Sequence, residues 1–155
     1  MKSVNIITSR VTRFIFERSV RLLPIQKLVS QLEQSAKHIF TLLDMCSDTP
    51  GNRLHLRHII GIERWGQRRL RVALGEPFLN EEYDHYRPSN ERSWEELKDD
   101  WVAAREATLS LSKELIQANI APDFKVIHNR YGPLSIKGWL RYIDVHASSE
   151  GKHIK

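Results

Sequence analysis

Between Pro24 and Cys46 the apolar residues Ile25, Leu28, Val29, Leu32, Ala36, Ile39, Phe40 and Leu43 recur every three or four positions. That spacing lays side chains on one face of an α-helix, and a chain that keeps it must bury the stripe against other helices. Three more stretches do the same. One runs from about Arg53 to Leu74, with Gly75 and Pro77 as its stop. Another opens at Ser93 and Glu96, a capping box, and carries Trp94, Leu97, Trp101, Ala104, Thr108, Leu111 and Leu115. The last is capped by Ser135 and carries Trp139, Leu140, Tyr142 and Ile143. "SDTPGN" at 47–52 reads as a breaker, "EPFLNEEYDHYRPSNER" at 76–92 as a polar loop, and "FKVIHNRYGPLS" as a connection with a short extended piece. Four amphipathic helices in 155 residues with few strand candidates predict an all-α domain, a four-helix bundle over residues 24–155. Connections this long are expected to cross an end of the bundle or cover a pocket.

The net charge of +5 is unevenly spread. Lys2, Arg10, Arg13, Arg18 and Arg21, opposed only by Glu17, account for nearly all of it, and the rest of the chain is close to neutral. Nucleic-acid binding relies on clustered phosphate-neutralising charge, which the body lacks, so no nucleic-acid partner is expected. No run approaches the ~18 apolar residues of a membrane span, so no membrane partner is expected either. The single cysteine, Cys46, excludes an internal disulfide and a CxxC site and fits the cytoplasm. Residues 1–23 form a basic amphipathic leader, with Val11, Phe14, Ile15, Arg18 and Leu22 at helical spacing. Its composition overlaps with organellar transit peptides, but a helix packed beside the body is the preferred expectation.

Chemistry concentrates in the histidines. At ~100° per residue, His146, Glu150 and His153 share one helical stripe with Trp139, Tyr142 and Ile143. His58 shares a stripe with Leu54, Ile62 and Trp65; Arg69 lies on the same face and His55 at its edge. A histidine on an apolar face is either a satisfied core residue or a ligand. Imidazoles and carboxylates from facing helices are how bundles hold metals, and two histidines with one carboxylate suit Zn²⁺, Fe²⁺ or Ni²⁺. Gly151 weakens or ends the last helix, which favours Glu150 as third ligand and leaves His153 as an outer partner or alternative ligand. Arg69 is read either as a grip on a substrate carboxylate or phosphate or as a cap on the bundle end. Arg57, Arg64, Arg68 and Arg71 are read as a solvated face rather than an anion patch. The four tryptophans are read as core anchors, and Glu63, turned away from His58, as an ion-pair partner. His128, Asn129 and Tyr131 either reach over the pocket or sit on the surface. No Ser-His-Asp set, Gly-rich phosphate loop or Cys-His pair stands out.

"LRHIIGIERWGQRRLRVALGE" and "YGPLSIKGWLRYIDVHASSEGKHI" together resemble the second and last helices of the DinB-like superfamily, with the likeness extending over about residues 24–154. The resemblance implies a four-helix bundle that binds a divalent metal through three histidines, one from the second helix and two from the fourth. His58 and His146 match the first two positions; the third is Glu150 here, a departure that leaves a competent ligand. His153 falls just after that pair. Activities in the superfamily include thiol S-transferases using low-molecular-weight thiols, a mycothiol-dependent isomerase and metal hydrolases. The expectation is therefore a divalent-metal (Zn, Ni or Fe) hydrolase or thiol S-transferase acting on a small molecule, with a low-molecular-weight thiol as one candidate substrate. The alternative is a non-catalytic bundle with a degenerate site, serving ligand binding or homodimer formation. The metal reading requires the ligand atoms of His58, His146 and Glu150 to converge within ~4 Å.

Overall fold

The structure, a computed structural model, describes residues 2–155. Met1, the first residue of the expected leader, lies outside the described residues. Five α-helices account for most of the chain: α1 (Lys2–Val20), α2 (Ile25–Met45), α3 (Pro50–Leu70), α4 (Trp94–Gln117) and α5 (Ile136–Gly151). The all-α expectation holds for this body, with one addition. Residues Lys125–His128 (β1) and Gly132–Ser135 (β2) form an antiparallel hairpin, with Val126 opposite Leu134 and His128 opposite Gly132.

Local chemistry explains the boundaries. Ser93 and Glu96 form the reciprocal capping box at the start of α4. Ser135 Oγ accepts the Gly138 N–H at the start of α5, at 2.9 Å. The breaker at 47–52 is shorter than the sequence suggests. Pro50 opens α3 and Thr49 caps it, its hydroxyl accepting the Asn52 N–H at 3.1 Å. Proline at a first helical position lacks only an N–H that would go unbonded anyway. At the far end α3 tightens into a 3₁₀ turn, Arg71–Leu74, which Gly75 closes in the left-handed conformation. A second 3₁₀ turn, Tyr83–Tyr86, lies within the long loop and packs on α3.

Helices α3 and α2 each pack against both α4 and α5. Two apolar clusters result. One holds Leu32, Ile62, Trp65, Leu111, Trp139 and Ile143 and includes Val126 and Leu134 of the hairpin. The other holds Ile39, Leu56, Ile59, Trp94, Leu97, Trp101 and Ala147. All four tryptophans are buried, as core anchors should be. In sequence, Ser35, Glu63, Arg105, Thr108 and Asp144 fall between members of the two clusters, and they bond to one another. Arg105 meets Glu63 through two contacts, Nε–Oε1 at 2.8 Å and Nη2–Oε2 at 3.1 Å. Thr108 donates to Glu63 Oε1 at 2.6 Å, and Arg105 Nη1 donates to Ser35 Oγ and to the Leu32 carbonyl. Ser35 in turn donates to Asp144 Oδ1. One polar layer thus links α2, α3, α4 and α5, and Glu63 is the ion-pair residue its helical position suggested.

Helix α1 packs on α5 and β2. Glu17 Oε1 accepts the Ser135 N–H at 2.7 Å, and Val20 is buried. The outer face of α1 leaves Val11, Phe14 and Ile15 exposed. Among the described residues no helix is long and apolar enough to cross a membrane.

The polar layer makes a direct prediction. Glu63→Ala strands a buried guanidinium and should cost about 3–5 kcal/mol, whereas Glu63→Leu combined with Arg105→Met should cost much less. Urea unfolding of the three proteins measures both.

Candidate metal centre

Helices α3 and α5 run antiparallel: Gly66 lies against Ile143, and nearer the other end His58 meets His146. The Nε2 atoms of His58 and His146 are 3.2 Å apart. Glu150, one turn beyond His146, brings a carboxylate oxygen to the same place, and the three ligand atoms all lie within 4.8 Å of one another. No other such group of three occurs among the described residues. The imidazoles meet the ~4 Å requirement, and the excess lies with the carboxylate. Two nitrogens bound to one tetrahedral zinc at ~2.0–2.1 Å would be separated by about 3.3–3.4 Å. The 3.2 Å between these two is close to that edge.

Their protons can be assigned from the neighbours. Arg87 Nη2 lies 3.2 Å from His58 Nδ1, and a guanidinium can only donate. His58 Nδ1 is therefore the bare nitrogen and Nε2 carries the hydrogen. His146 Nε2 then accepts from His58, which leaves the proton of His146 on Nδ1, a buried atom with no hydrogen-bond partner. Burial, Arg87 and His55 hold the His58 imidazolium below its usual range, against the opposing pull of Glu150 and Asp84. Burial first and His58 second push His146 down to about 4. Both rings are neutral near pH 7, the form that binds metal.

Arg87 sets the chief obstacle. A neutral imidazole bound to a metal through Nε2 carries its proton on Nδ1 and usually donates it to a carboxylate or carbonyl. Here Nδ1 faces a donor. Metal binding at His58 thus requires Arg87 to leave, and Asp84, 3.2 Å from the same Nη2, offers an alternative partner. Arg87 reaches this position across Gly61, where a Cβ would come 2.7 Å from Arg87 Cγ. No spacing rule in the sequence pairs a loop arginine with a helical glycine.

The histidines open onto a cleft of about 490 Å³ whose walls include Ile62, Trp65, Tyr83, Tyr131 and Tyr142. A larger groove of about 670 Å³ beside α1 holds no comparable ligand group. His128, at the end of β1, also lines the cleft and is only 4% exposed. Of the two readings of this residue, the pocket one describes its place. His55 Nδ1 lies 3.5 Å from Glu150 Oε2 and its ring stacks on His153 with centroids 5.4 Å apart. Helix α5 continues through Gly151, which is buried facing Ile39 and Leu42. His153 follows the helix, is exposed, and is not part of the three-ligand group.

Arg69 is buried and does not line the cleft. Its guanidinium stacks on Trp65 and Phe78, and Nη2 donates to the Glu81 carbonyl and Asn129 Oδ1. It ties the long loop to the hairpin turn, which is closer to the capping role than to a grip on substrate. The surface arginines are engaged as well. Arg57 donates to the Pro88 carbonyl, Arg64 pairs with Asp100, Arg68 with Glu76, and Arg71 lies near Glu76 and Glu114.

Comparison of the chain with family models, curated proteins and solved structures finds no match.

The buried histidine gives a pH prediction. Burial, then Arg69 and Arg130, push His128 down to about 3, against ~6.5 in an unfolded chain. The unfolded state therefore binds the extra proton, and stability present above pH ~6.5 is lost as pH falls toward ~3. Thermal midpoints of metal-free protein should decline over that range, and the decline should be shallower in His128→Gln.

Proposed function

We propose that α2–α5 form a four-helix bundle of the DinB-like kind that holds one divalent metal ion at His58, His146 and Glu150. The observation that carries this reading is the convergence of two neutral imidazoles and a carboxylate, from facing helices, at one wall of the cleft. Zinc, nickel and iron(II) all suit that donor set. When bound, such an ion supplies Lewis-acid polarisation, or lowers the pKa of a thiol or water. The protein's part is to hold the imidazoles neutral by burial and to present aromatic walls to a small substrate. Metal-dependent hydrolysis and thiol S-transfer are the two activities that fit. Their shared requirement is a ligand position open to the cleft.

A second reading has an observation of its own. Arg87 donates to His58 Nδ1, the opposite polarity to a ligand histidine's usual outer partner. In this reading the His58–His146 contact is a plain hydrogen bond, and the cleft binds a ligand or a second copy without catalysis.

Zinc titrated calorimetrically into chelator-treated, untagged protein separates the two. The metal reading expects one ion per chain, with binding lost in His58→Ala and His146→Ala. Arg87→Ala should bind zinc about tenfold more tightly, since no donor then competes for Nδ1. Protein whose heat signal and unfolding midpoint ignore zinc, nickel and iron(II) would overturn the metal reading.

A further inference from the structure

His128 is held in one tautomer by the hairpin turn that follows it. Its Nδ1 faces two backbone donors, the Arg130 N–H at 3.1 Å and the Tyr131 N–H at 3.3 Å. An acceptor with two donors on it carries no proton, so the hydrogen of the neutral ring sits on Nε2. That atom is buried and has no hydrogen-bond partner among the described residues. The ring cannot easily turn to find one. Trp65, Tyr131, Trp139 and Tyr142 enclose it with centroid distances of 4.5–5.0 Å. Buried donors are rarely left unmet, and because His128 is a wall residue of the cleft, an acceptor entering the cleft is the partner this one calls for.

The walls restrict what that acceptor belongs to. Among walls that are otherwise polar, Ile62, Trp65, Tyr83, Tyr131 and Tyr142 supply the aromatic surface on which a flat group can lie. Glu82, Glu150 and Arg130 line the cleft and Arg69 also acts on His128, so the two signs balance and no spare positive charge is left to pair with a buried carboxylate. A neutral carbonyl oxygen avoids the cost of burying an unpaired charge.

We propose that His128 Nε2–H is a preset hydrogen-bond donor to the neutral carbonyl oxygen, of the amide or ester kind, of a small aromatic or apolar ligand in this cleft. The proposal builds on the metal-site reading by sharing its cleft, but it does not require the ion. A donor fixed in this way costs no reorganisation when the ligand arrives, and it strengthens if negative charge builds on the oxygen.

Nitrogen-15 spectra of the histidine rings test it, on both metal-free and zinc-treated protein, with benzamide as the probe and benzoate as its charged counterpart. His128 should show protonation at Nε2, and its N–H resonance should move downfield and saturate as benzamide is added. His128→Phe should weaken benzamide binding about tenfold or more, and His128→Gln, which keeps an acceptor for the turn and an N–H for the ligand, should largely restore it. A proton on Nδ1, no saturable shift with either form of the protein, or a response to benzoate but not benzamide would each overturn the proposal. A benzamide shift in protein that binds no zinc would uphold His128 while removing the metal reading. If His128→Phe does not fold, the ring assignment and benzamide shift in the unaltered protein decide.

Discussion

The bidentate contact between Glu63 and Arg105 is the constraint on which the rest depends. A charge pair this deeply buried is tolerable only when most donors and acceptors are met, and here Thr108, Ser35 and the Leu32 carbonyl meet most of them. Arg105 Nε lies at ion-pair distance from Glu63 without a directed hydrogen bond. Hydrophobic packing alone would let helices slide by a turn at modest cost. A polar layer cannot slide, because each shift would strand a charge. Glu63 on α3 and Asp144 on α5 belong to that layer through Arg105 and Ser35, so the two helices are held at one axial setting. His58 lies five residues before Glu63, and His146 two residues after Asp144. In antiparallel helices those offsets run the same way, and the two imidazoles meet.

Polarity of protons, more than distance, governs what the meeting point can do. The nitrogen separation suits both a shared ion and a hydrogen bond. What tells them apart is the far side of each ring. His146 carries an unmet Nδ1–H, compatible with either. His58 Nδ1 receives Arg87, which fits only the hydrogen bond until the guanidinium moves. Arg87 is therefore the loop residue whose position distinguishes the two readings of the site. Its path across Gly61 also means that a side chain as small as alanine there would disturb the contact.

Much of the fold was legible because helical periodicity is a local signal. The stripes of α2 and α4 and the caps at Ser93 and Ser135 were readable in the sequence and appear in the structure. Pro50 was misread as a breaker because proline ends one helix and begins another with equal ease. Helix angles put His58 on one apolar face and His146 with Glu150 on another, but periodicity alone could not show that the two faces meet; the pairing rested on the resemblance of the two helices to a known family. Residues outside those stripes were not legible. Arg69 shares the His58 face, yet three turns along that face no longer borders the cleft. His128 and Arg87 lie in connections, where burial depends on packing that no local pattern encodes.

We propose that His58, His146 and Glu150 share one ion when Arg87 withdraws. Anomalous scattering at the zinc edge, from crystals grown with zinc, would locate that ion. A shared ion gives a single strong peak between His58 Nε2, His146 Nε2 and the Glu150 carboxylate, with the Arg87 guanidinium moved off His58 Nδ1. A crystal that shows no peak there, with Arg87 still on His58, would contradict it.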